Sequence, residues 1–217
     1  MENPIRRTPV NRFFTALAQV VSCVFHPLFL PTYFFLYLVL RYPFEFAGLF
    51  GWQLNLRIFG VFWMTAFFPA FAVFLLWRLK FSNGIQLKTQ KERIIPYVIT
   101  MFFYWWMYYL SRNFTDQPAM LKPFYLGIFM ASAIGLVLNN FFKVSLHAMG
   151  MGGLLTVVFL TAYQYAFADG WVLTLAVFAT ALVVLARQWV SDHTDKDLIV
   201  GLLVGSLTQG LAWWVVG

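Results

Sequence analysis

The chain has 217 residues, of which 61% are hydrophobic, 21% aromatic and only 11% charged; soluble domains carry roughly a quarter charged residues. The net charge of +7 raises nucleic acid as a partner, but the basic residues fall in short loops beside long apolar runs, where lipid headgroups and positive-inside topology account for them. A soluble domain and a nucleic-acid binder are therefore excluded, and an all-α, polytopic transmembrane bundle of six to seven spans is expected, forming one integral-membrane domain over residues 1–217.

In chain order, the first expected span is 15–40, behind a basic start at Arg6, Arg7 and Arg12. Bulky apolar residues continue through His26 and Pro27, where a signal peptide would turn to small residues, so this is read as a retained, kinked span. His26 has no partner visible in the sequence and reads as structural. Cys23 is the single cysteine, which rules out an intrachain disulfide. Segment 41–56 contains Pro43, Gly48 and Gly51 and reads as an interfacial loop. Further spans are expected at 57–78, 95–111, 120–142, 147–168, 171–187 and 198–217, the 95–111 span rich in belt-like aromatics (YWWMYY). No repeat or low-complexity run interrupts them.

Three polar islands lie between these spans: QLKTQKERIIP at 86–96, KVSLHAMGMGG at 143–153 and RQWVSDHTDKDLIVG at 187–201. Two spans separate each island from the next, so parity puts all three on one membrane face. SRNFTDQ and FADGW, on the other face, read as plain connectors.

The chemistry is densest in the last island. With a helix beginning near His193, His193 and Asp197 are i,i+4 neighbours. The carboxylate then accepts from one imidazole nitrogen and leaves the other unprotonated, as a nucleophile or base requires. Arg187 supplies a forked donor for a phosphate or carboxylate. Ser145 and His147 sit at the mouth of a helix whose N-terminus favours an anion. Lys88, Lys91 and Arg93 add cationic donors. Two histidines, one aspartate and several cations at a membrane surface fit phosphoryl transfer through a histidine.

These residues resemble the type 2 phosphatidic acid phosphatase superfamily, whose blocks run K-x6-R-P, P-S-G-H and S-R-x5-H-x3-D. The third block is matched by Arg187, His193, Asp197 and the following Gly201, with Ala186 in place of the serine. Ser145 and His147 match the second, with Val144 and Leu146 where proline and glycine are usual. The first block departs furthest. With Arg93 as its arginine, Gln86 takes the lysine position and Ile94 the proline position, and Lys88 or Lys91 stands in for the lysine. The blocks fall near 86–96, 143–150 and 187–201. The resemblance implies a metal-independent lipid phosphatase with no cofactor. In it His193 forms a phosphohistidine, Asp197 orients it, and His147 is general acid and then activates water. Arg187, Arg93, Ser145 and a lysine hold the phosphate.

Plainer readings hold elsewhere. Arg78, Lys80, Lys143 and Lys196 read as topology determinants or headgroup contacts. Asp192 and Asp195 beside His193 raise a metal site, which the neighbouring cations disfavour. Gly201 and Gly205 form a small-xxx-small packing pair.

The function expected is hydrolysis of a phosphomonoester or diphosphate of a membrane lipid: phosphatidate, phosphatidylglycerophosphate, a polyprenyl diphosphate or a phosphorylated glycolipid. The alternatives are a transporter or channel with a His/Asp/Arg relay, disfavoured by few mid-depth polar groups, and a relative that binds lipid phosphate without turnover. The expected site face carries 11 of the 15 basic residues, which places it in the cytoplasm. The partners expected are the lipid substrate and the bilayer.

Overall fold

The computed structural model describes residues 12–49, 51–82, 84, 89–114, 116–166, 170–191 and 193–217. Among the residues singled out above, Arg6, Arg7, Gln86, Lys88 and Asp192 lie outside that set. The described chain is all-helical: α1 Arg12–Val24, α2 Leu30–Arg41, α3 Trp52–Arg78, α4 Gln90–Asn113, α5 Leu121–Leu138, α6 Leu146–Gln164, α7 Gly170–Val190 and α8 Asp195–Val216. Five of these helices, α3 and α5 to α8, are long and apolar enough to cross a bilayer. They suggest a multi-pass membrane protein.

The expected 15–40 span is instead two short helices. Pro27 has no N–H to continue the ladder, and Pro31 suits the first turn of a new helix. Between them the loop closes on itself through Phe29 N–H to the His26 carbonyl (2.9 Å) and Leu28 N–H to His26 Nδ1 (3.4 Å). The expected interfacial loop also needs correcting. Pro43–Phe46 is a 3-10 turn, but residues from Trp52 onward already belong to α3.

Within α3, residues Trp63–Phe67 form a π-helical turn, with the Phe68 N–H reaching the Trp63 carbonyl. Pro69 follows at once, and the wider turn absorbs the bond its ring nitrogen cannot make. The α4 helix is longer than expected from 95–111. It opens on a capping box, with Glu92 N–H donating to Thr89 Oγ1 (3.3 Å) and Thr89 N–H to Glu92 Oε2 (3.1 Å).

Helices α6 and α8 form the closest-packed pair and run side by side in the same direction. Gly152 and Gly205 let their backbones touch: a Cβ on Gly205 would collide with the Met149 carbonyl oxygen, and one on Gly152 with that of Leu202. Aromatic and aliphatic side chains fill the far end of the bundle, among them Phe34, Leu38, Tyr42, Leu121, Phe124 and Val157. Large apolar residues such as Phe71, Phe74, Leu175 and Phe178 face outward, the distribution of a lipid-facing surface.

Candidate functional site

Four chain segments meet at one end of the bundle, namely the first turns of α4, α6 and α8 and the last turn of α7. The tripeptide Lys143–Ser145 ties them together through its backbone. The Lys143 carbonyl accepts from His193 Nδ1 (3.0 Å), the Val144 carbonyl from Arg93 Nη1 (3.2 Å), and the Ser145 N–H donates to the Asp197 carbonyl (3.3 Å). Asn139 Nδ2 closes the group by donating to the Gln90 carbonyl (2.8 Å). Three helix N-termini therefore point toward this end, a favourable setting for an anion.

A carbonyl can only accept, so the His193 proton sits on Nδ1 and the Nε2 lone pair is left free. The orienting acceptor is a backbone group. Asp197 lies 4.0 Å from His193 Nδ1, beyond hydrogen-bond reach. Its Oδ2 instead accepts from the Thr194 N–H and Oγ–H, both at 2.9 Å, and Thr194 Oγ1 accepts from the Asp197 N–H (3.2 Å). Asp197 thus completes a capping box at the start of α8 and fixes the turn that carries His193. Burial, followed by the positive charges of Arg93, Arg187 and Lys143, pushes the His193 imidazole down from 6.5 to about 4, against the opposing pull of the Lys143 carbonyl.

His147 Nε2 donates to the Ser22 carbonyl of α1 (3.0 Å), leaving Nδ1 as its open nitrogen. His26 stands edge-to-face against it with ring centroids 5.1 Å apart. The sequence gives no role to His26 at the site, since His147, the ring it meets there, lies more than a hundred positions away. The one local signal was the His-Pro pair breaking the first span. By sequence Lys143 reads as a topology determinant, whereas its carbonyl holds His193 and the residue lines the cavity.

Arg93, Arg187, Lys143, His26, His147 and His193 surround the mouth of a cavity of about 620 Å³. Arg187 has a buried Nε with no partner among the described residues, a donor held ready for an acceptor. Ser145 is fully buried, and its hydroxyl accepts from the Ala148 N–H (3.4 Å) as the cap of α6. Lys91 is exposed on α4 and outside the cavity wall. Of the proposed phosphate ligands, the cavity therefore brings together Arg187 and Arg93. Below its mouth the walls become mostly apolar, with Tyr97, Tyr104, Phe124, Ile128 and Leu154. Among the described residues, no three His, Cys, Asp or Glu side chains are grouped as metal ligands.

Comparison with protein-family models, with curated proteins and with solved structures finds no match to this chain.

Proposed function

We propose that this chain is a metal-independent membrane phosphatase acting on a lipid phosphate. The observation that carries the reading is the open His193 Nε2 beside Arg93 and the Arg187 Nε, which has no partner among the described residues, at the mouth of an apolar cavity. In this reading the guanidinium groups hold the phosphate oxygens and offset the charge that builds in transfer. His193 Nε2 attacks phosphorus, and the bond to the lipid oxygen breaks. His147, protonated on Nδ1, gives that oxygen its proton, and a lipid alcohol leaves. Water then attacks the phosphohistidine, His147 takes a proton from it, and the P–N bond breaks to release orthophosphate. The Lys143 carbonyl keeps the His193 Nδ1 proton throughout, and Asp197 acts through the turn it caps. The apolar cavity suits the chain of the substrate.

The broken α1–α2 pair and α4 join the five long helices to make seven passes in this reading, with the site on the cytoplasmic face by its excess of basic residues. The test is phosphate release by detergent-purified protein in EDTA, across phosphatidate, phosphatidylglycerophosphate and prenyl diphosphates, alongside His193→Ala. The expected result is release that resists EDTA and disappears in a folded His193→Ala variant. Turnover retained by that variant refutes the mechanism. Silence toward every lipid phosphate moves the reading to a binding or transport protein.

A further inference from the structure

Deeper in the cavity the wall changes again. Gly153 lies six residues beyond His147 on α6, roughly 9 Å along the helix, and Gln209 of α8 packs at that level. Gln209 is 2% exposed, and neither its amide nitrogen nor its oxygen has a partner among the described residues. It is held in place by a glycine: a Cβ on Gly127 would overlap Gln209 Oε1. Tyr97, one turn below Arg93, is 4% exposed, and its hydroxyl is likewise without a partner among the described residues. Both side chains line the cavity.

An unpaired buried amide or hydroxyl gives up its hydrogen bonds to water without compensation, and the middle of a bilayer offers no water in exchange. Leucine or phenylalanine would fill the same space without that cost. We infer that Gln209 and Tyr97 form a second, polar subsite, which hydrogen-bonds the ester or amide linkage oxygens of an acyl lipid whose phosphate lies on Arg187 and Arg93. This rests on the phosphatase reading and narrows its substrate class. Linkage carbonyls lie a few bonds from the phosphate of an acyl lipid, matching the order of the two layers along the cavity. A prenyl chain has no polar atom beyond its phosphates and leaves both groups unpaired. A site built to hydrogen-bond its ligand rejects the analogue that lacks the bond.

The experiment uses the full chain in detergent and measures binding, so that turnover plays no part. The probes are the phosphonate analogue of phosphatidic acid, geranylgeranyl phosphonate and dioleoylglycerol. Gln209→Leu and Tyr97→Phe are each expected to weaken the acyl phosphonate about five- to ten-fold and to leave the prenyl phosphonate unchanged. Gln209→Leu is also expected to hold or raise the thermal midpoint of the ligand-free protein, and Gln209→Met repeats the test if the leucine variant does not fold. Equal weakening of both phosphonates, or of neither, overturns the subsite while leaving the phosphate site standing. Dioleoylglycerol binding as tightly as the acyl phosphonate, with the same Gln209 dependence, supports the subsite and overturns the phosphatase reading. Failure of all three probes to bind overturns both.

Discussion

A histidine held by a backbone carbonyl and ringed by guanidinium groups is neutral at ordinary pH. His193 stays so down to about 4, against 6.5 for the free side chain. Its deprotonation therefore cannot produce an acid limb in kcat/KM between pH 5 and 7, and a limb there belongs to the substrate. Because the folded state binds fewer protons than the unfolded between those two values, its contribution to stability is complete above pH 6.5 and declines as pH falls toward 4. The thermal-midpoint gap between the native chain and His193→Gln should accordingly be smaller at pH 5 than at pH 7.5. His26 gives a second test at this scale. His26→Ala removes the ring that abuts His147 and is expected to lower kcat/KM by about ten-fold or more through loss of positioning. His26→Phe keeps the ring contact, so it should restore the thermal midpoint without restoring the rate if the imidazole itself is needed.

Helix ends and helix contacts set where those side chains stand. Thr194→Val removes the hydroxyl that both accepts from the Asp197 N–H and donates to its carboxylate. It should cost about 1 kcal/mol of stability and lower activity further by loosening the turn before α8. Along the same helix, Gly205→Ala forces a Cβ into the Met149 carbonyl and should destabilise at the upper end of the about 1–3 kcal/mol typical of overpacking. Gly210→Ala meets nothing within 4 Å and should be neutral or stabilising by up to about 1 kcal/mol. Thermal unfolding in one detergent compares all three. At this scale the sequence was partly legible. The pattern HTDKD shows His193 and Asp197 one turn apart, yet the carboxylate serves the orphan N–H at the helix start, because Thr194 is closer and an N–H there has no intrahelical acceptor. TDKD and TQKE carry the same capping signature at the two helix starts. The role of the Lys143 carbonyl leaves no trace in side-chain identity, since any residue there offers one.

On the scale of the whole molecule, length and hydropathy were enough to anticipate the five long apolar helices and the gathering of polar islands at one end. What periodicity could not anticipate was the full division of the first apolar run, where Pro27 interrupts the ladder and the His26 carbonyl and ring accept from the Phe29 and Leu28 N–H groups, or the cavity behind the site, which depends on packing among distant helices. The bundle places apolar side chains outward, and of its buried polar residues Ser22, Arg93, Ser132, Thr208 and Gln209 line one internal space. A reporter fused at the N-terminus of the chain should be found in the cytoplasm, on the same side as the site; a reporter found outside reverses the assigned orientation.

The wide turn at Trp63–Phe67 holds one residue more than an α-helical ladder needs. Losing a single codon there, Ala66 for instance, leaves a chain that can close the ladder into regular α-helix. The residues of the wide turn together advance the chain by nearly the same angle as one residue fewer in an α-helix, so Pro69, Ala70 and Val73 would keep their places in the cavity wall. The turn is thus a register mark. A one-residue deletion placed there should give a folded protein that keeps its lipid binding but has a lower thermal midpoint, because Pro69 then stands in a regular α-helix, whereas the same deletion in the regular turns of α7 should shift its apolar face and prevent folding.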